Sequence, residues 1–135
     1  MDARAIQKLE IGGNVLNARV LAGFNPDLTP VNRSARIGSI EVAGIWNASS
    51  ASAGIADVTG DGFGRNDAPI AGSGVISRIA RITIHGNAAG SESGDFSGIT
   101  AEQIGRLRAG SIRPLFTDGP DDFLLDDDFR VVDFT

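Results

Sequence analysis

The sequence predicts an all-β chain coiled as a parallel solenoid, or β-helix, of about four coils with an acidic and apolar C-terminal cap. Three observations predict it. An isoleucine-led pattern recurs within residues 6–117, its apolar positions alternate with polar ones, and Pro26, Pro30 and Pro69 all fall between the copies. Glycine, at 18 of 135 residues, stands at about twice its usual share without the three-residue period of collagen.

The first copy reads IQKLEIGGNV from Ile6, the second IGSIEVAGIW from Ile37 and the third IARITIHGNA from Ile79. A weaker fourth, IGRLRAGSIR, starts at Ile104. Three residues after each opening isoleucine stand Leu9, Ile40, Ile82 and Leu107, and five after it Ile11, Val42, Ile84 and Ala109. Ile40 and Val42 alternate with Ser39 and Glu41, and Ile82 and Ile84 with Arg81 and Thr83. That is the period of a strand with one buried face, written on β-branched residues. Gly13, Gly44 and Gly86 follow two residues after the last apolar position, and the fourth copy has Ser111 there. Glycine at that point permits a bend that a side chain would obstruct. One such strand cannot bury its face alone. Copies returning every 25 to 42 residues can stack about 4.8 Å apart and cover one another.

Loop insertions are expected near 24–35, 56–74 and 89–97. The stretch TAEQIGRLR, residues 100–108, carries helix signals in Thr100, Glu102 and two arginines, but Ile104, Leu107 and Ala109 fit the fourth copy, and that reading is preferred. Domain boundaries follow: coils over 1–117 and a cap over 118–135. The cap holds Asp118, Asp121, Asp122, Asp126, Asp127, Asp128 and Asp133 against Arg130, a local net of −6, so residues 1–117 carry +1 of the total −5. Phe123, Leu124, Leu125, Phe129, Val131, Val132 and Phe134 give this segment more apolar content than a disordered acidic tail would have. They are expected to fold over the last coil with the aspartates turned to water.

Composition excludes several function classes. With no cysteine and one histidine, disulfide frameworks, thiolate zinc sites and cysteine nucleophiles are ruled out. The negative balance argues against nucleic acid as a partner. No run approaches the roughly 18 apolar residues of a membrane span, so no membrane insertion is expected, and MDARAIQKLE lacks the apolar core of a signal peptide. GDGFG and AGSGV lack the lysine and helix start of a phosphate loop.

The strings IGSIEVAGIWNAS, SRIARITIHGNAAGS, GITAEQIGRLRAGS and GPDDFLLDDDFRV resemble the glycine-rich β-solenoid repeats of large bacterial cell-surface or secreted proteins. The resemblance implies a right-handed parallel β-helix near the C-terminal end of such a protein, an extracellular or cell-surface location, and a scaffold without enzymatic activity. The fourth copy departs from it by lacking its glycine. The first copy begins almost at the first residue and leaves no N-terminal cap, so the chain is expected to be a fragment or to have that end covered by another chain.

The strongest local motif is ADVTGDGFGRNDA, residues 56–68. Asp57, Thr59, Asp61, Gly62 and Phe63 occupy positions 1, 3, 5, 6 and 7 of a calcium-loop pattern, with Asp67 at position 11. Hard cations want several oxygens on a sharply turned backbone, and the Phe63 carbonyl would supply one. Position 12 is Ala68, so the usual bidentate carboxylate is missing and an ordinary polar turn is the competing reading. Calcium is the only cofactor the sequence suggests. Outward strand positions form two ladders, Lys8, Ser39, Arg81, Arg106 and Glu10, Glu41, Thr83, Arg108. Parallel β-helix enzymes that act on acidic polysaccharides use such a face. Here charges of both signs alternate without an aspartate cluster, which suits a solvated surface. His85 has no Ser or Asp partner at a readable spacing and is expected at the surface. Trp46, matched by Val15 and Ala88 in other copies, is expected in the core.

The leading expectation is therefore a noncatalytic structural or interaction module, its inner ladder formed by Ile6, Leu9, Ile11, Ile37, Ile40, Val42, Ile79, Ile82, Ile84, Ile104 and Leu107. The alternative is a polysaccharide-binding or polysaccharide-active module, calcium-dependent through the 56–68 loop, with a glycan as partner. A third is self-association through the open N-terminal coil.

Overall fold

A computed structural model describes residues 4–24, 29, 31, 34–58, 63, 67–70, 76–90, 97–114, 116, 120–126 and 129–134. Among them every regular element is a strand, and no helix is long and apolar enough to cross a membrane. The segment at 100–108 is extended and not helical.

The strands fall into four small sheets. The first is parallel and holds β1 (Arg4–Ile11), β4 (Arg36–Val42), β9 (Arg78–Ile84) and β12 (Gln103–Ala109), in that spatial order. The second, also parallel, holds β10 (Ala88–Ala89), β5 (Trp46–Asn47) and β2 (Val15–Leu16). In the third the order is β13 (Asp121–Asp126), β14 (Phe129–Asp133), β11 (Ser97–Ala101), β6 (Ser50–Ala53) and β3 (Arg19–Ala22). It is mixed, because β13 pairs antiparallel with β14. The fourth is an antiparallel pair of β7 (Ile55–Asp57) and β8 (Asp67–Pro69).

This arrangement corrects the expected fold. The chain is all-β, but it is not a single right-handed parallel β-helix of about four coils. Parallel and mixed pairing coexist in several separate sheets. Among the described residues the second sheet receives no strand from the fourth copy. After β12 the chain reverses through an antiparallel bridge between Ala109 and Ile112, and the last strands return as an antiparallel hairpin. The insertion after the second copy likewise pairs with itself as β7–β8. Antiparallel pairing of neighbouring strands is a pattern that the period of the copies does not encode.

Within the first sheet, the pairing register follows the alignment of the isoleucines. Ile6 pairs with Ile37, Ile37 with Ile79, and Ile79 with Ile104, and the positions three and five residues on match likewise. Ile37, Ile40, Val42, Ile79, Ile82 and Ile84 are buried in one cluster with Trp46, Ile99, Phe129 and Val131. Burying each large side chain contributes roughly 1.5–3 kcal/mol. The bend after these strands is a column of glycines. The Gly44 N–H donates to the Gly13 carbonyl at 2.9 Å and the Gly86 N–H to the Gly44 carbonyl at 2.8 Å. A Cβ on Gly86 would lie 2.7 Å from that same carbonyl oxygen, so only glycine fits unstrained. In the fourth copy Gly110, one residue earlier, takes this corner with φ +60°, its N–H donating to the Ile84 carbonyl at 2.9 Å.

Trp46 is buried, as expected, with Val15 and Ala88 as its neighbours in register. Its Nε1 donates to the Ser49 carbonyl at 2.7 Å, which satisfies the indole inside the core. In the third sheet β6 is made of small buried residues, and hydroxyls link it to β11. Thr100 Oγ1 donates to Ser52 Oγ at 3.1 Å, and Ser52 Oγ donates to the Ile55 carbonyl at 3.0 Å. Residues 120–126 and 129–134 pack onto the core through buried Phe129 and Val131 and half-buried Phe123 and Leu125, with Phe116 edge-on to Phe123 at 5.4 Å. One aspartate differs from expectation: Asp133 is buried and accepts the Ile104 backbone N–H at 2.9 Å. That bond ties β14 to β12.

Candidate functional site

The first sheet carries a trough that runs across its strands. Residues one position after the opening isoleucines are small in three copies: Gly38, Ala80 and Gly105. Gly38 and Ala80 make the floor. On one side stand Arg36 and Arg78, direct neighbours in register. On the other stands the column Lys8, Ser39, Arg81 and Arg106, paired in register as the ladder predicts. The resulting cavity has a volume of about 560 Å³ and is lined by Gln7, Lys8, Arg36, Ile37, Gly38, Ser39, Arg78, Ala80 and Arg81. Among the described residues it holds four cationic side chains and no carboxylate. The absence of a side chain at Gly105 matters locally, because a Cβ there would meet Arg78 Nη2 at 2.9 Å and the Ala80 carbonyl at 2.5 Å.

One acid beside the trough already pairs with one of its cations. Lys8 Nζ lies 2.6 Å from Glu10 Oε1, an exposed pair on β1. Glu10's hydrogen bond, then its charge, raises the Lys8 ammonium above its ordinary value. Glu41 faces His85, with Nε2 3.6 Å from Oε1. The ion-pair partner that faces Glu41 among the described residues is thus the exposed His85. Arg36 Nε and Arg78 Nε are buried and have no hydrogen-bond partner among the described residues.

Of the candidate calcium residues, Thr59 and Asp61 lie outside the described residues. Asp57 and Asp67 are brought directly opposite each other across the β7–β8 pair. The Phe63 side chain is buried and meets Phe24 edge-on at 6.4 Å. Among the described residues no group of three or more His, Cys, Asp or Glu side chains is placed to hold a metal.

The two ladders were legible in the sequence, but the arginines that complete the trough were not singled out. Arg36 and Arg78 each precede the opening isoleucine of their copies, a recurrence visible once the copies are aligned. What hid them was the strand pattern itself, which directs attention to positions inside the alternation. Comparison with protein families, with curated proteins and with solved structures finds no match to this chain.

Proposed function

We propose that this chain is a noncatalytic structural and interaction module that joins a second copy of itself through the outer edge of its first copy. The observation that carries this reading is the position of β1, β2 and β3, each of which ends its sheet on the same side. Ile6, Leu9 and Ile11 on β1 are only half-buried, although their counterparts on β4 and β9 are fully covered. An edge strand with unpaired backbone groups and apolar residues is a template for another strand. A second β1, laid antiparallel about Leu9, would set Lys8 opposite Glu10 of the second copy and Glu10 opposite its Lys8. The edge is therefore self-complementary in charge. Likeness to repeats of large bacterial surface and secreted proteins supports a scaffold role outside the cell.

Size-exclusion chromatography with light scattering, run over a wide concentration range, tests this. A dimer that grows with concentration is expected. Leu9→Lys should hold the chain monomeric with an unchanged circular dichroism spectrum. Lys8→Glu should weaken association, and adding Glu10→Lys should restore it. A monomer throughout the range, or Lys8→Glu without effect on a dimer, sinks the proposal.

A further inference from the structure

Two like charges side by side on adjacent strands repel each other, and a buried N–H donor without an acceptor costs about 1–3 kcal/mol. Arg36 and Arg78 show both features. They are neighbours in register on β4 and β9, and each has a buried, unmet Nε. Arg81 adds positive charge across the trough, where Lys8 is already paired with Glu10, and among the described residues no carboxylate lines it. This is the inverse of the chain as a whole, whose net charge is −5. An oxyanion seated between the arginines would supply the missing negative charge, meeting the outer N–H groups of each planar guanidinium fork and not the buried Nε atoms.

The shape of the trough narrows the class of anion. It crosses the strands, so successive arginines recur at the strand spacing of about 4.8 Å. A pyranose chain advances by a similar length per unit. Gln7 and Ser39 add neutral polar groups suited to hydroxyls, and the floor of Gly38 and Ala80 leaves room for a ring. Among the described residues no aromatic side chain lines the trough, so none of them stacks a nucleobase. We propose that the trough binds an acidic sugar chain lying across β4 and β9, its carboxylate or sulfate groups held by Arg36, Arg78 and Arg81. This goes beyond self-pairing through β1 and does not depend on it, since the three arginines lie outside β1.

Isothermal calorimetry of the whole chain tests it with four probes: a galacturonate tetramer, a heparin-derived tetrasaccharide, a neutral oligosaccharide of equal length and an oligothymidylate. Saturable binding of the galacturonate or the heparin fragment is expected, weakening as salt rises, with the neutral sugar inert. Which of the two binds tells carboxylate from sulfate. Arg81→Ser, a change at an exposed position, should weaken binding about tenfold or more. Arg36→Gln with Arg78→Gln should abolish it. Should that pair disturb the fold by circular dichroism, Ala80→Glu places a carboxylate on the floor and should abolish binding instead. The proposal fails if neither acidic sugar binds at millimolar concentration, if Arg81→Ser binds unchanged, or if oligothymidylate binds as tightly as the sugars.

Discussion

Strands β1 and β9 carry the same apolar pattern in the same register, yet they live in different surroundings. Ile79, Ile82 and Ile84 on β9 are sealed, whereas Ile6, Leu9 and Ile11 on β1 are only partly covered. The difference does not lie in the residues. Strand β9 has β4 on one side and β12 on the other, while β1 pairs only with β4 among the described residues. A short strand becomes core when it is flanked twice, and the same sequence at an edge remains half surface. Comparing equivalent positions on the two strands turns this into measurement.

The largest contrast is expected from charge. Ile82→Asp puts a carboxylate where no water reaches and should cost at least about 4 kcal/mol, enough to unfold much of a population stabilised by about 5–15 kcal/mol. At Leu9 on β1 the new carboxylate can turn to solvent, so Leu9→Asp should cost roughly 1–2 kcal/mol. Thr83→Asp, between the two buried isoleucines of β9 but on the other face, should stay within about 0.5 kcal/mol. Urea denaturation followed by circular dichroism reads all three. Equal costs at Ile82 and Leu9 would mean that β1 is sealed in solution, and hence paired.

A smaller contrast lies in the glycine corner. The missing Cβ of Gly86 is filled by the preceding copy, with Ile45 Cγ2 at 2.8 Å and the Gly44 carbonyl oxygen at 2.7 Å from the ideal Cβ position. Gly86→Ala must move backbone and should cost about 1–3 kcal/mol. At Gly13 a Cβ would meet nothing within 4 Å. Gly13→Ala should be neutral, or stabilising by up to about 1 kcal/mol through the unfolded chain. Thermal melts of the two variants give the comparison. A costly Gly13→Ala would show that something in solution stacks on the first copy.

The same contrast explains how much could be read from the sequence. The register of the first sheet was legible because Ile6, Ile37, Ile79 and Ile104 recur with their partners three and five residues on. Trp46 was legible as core because the alignment set it against Val15 and Ala88. The parallel stack, however, was extended too far. Pairing of Ile55 with Pro69, or Phe123 with Val131, depends on where the chain turns back, and turns leave no period. Burial of Asp133 was invisible for a related reason: its acceptor role appears only once β14 lies beside the Ile104 N–H. In the trough, Lys8, Ser39, Arg81 and Arg106 could be read as a ladder, whereas Arg36 and Arg78 recur in the alignment but lie outside the strand alternation that drew attention.

The smallest effect falls on the edge strand alone. Lys8 on β1 holds Glu10 at 2.6 Å, whereas its counterparts in register are Ser39, Arg81 and Arg106. Glu10's hydrogen bond and then its charge raise the Lys8 titration above the ordinary 10.5. A raised lysine stabilises the folded state fully below that ordinary value, and the contribution is lost as pH climbs through the raised one. Because the pair is exposed, its effect on stability should be slight, and the titration itself is the better observable. Following the Lys8 side chain by NMR, Glu10→Gln should bring the midpoint back towards 10.5. If two copies pair through β1, each Lys8 gains a second Glu10, so its midpoint should also climb as protein concentration rises. A midpoint that depends on Glu10 but not on concentration would confine the ion pair to one chain and leave the edge unoccupied.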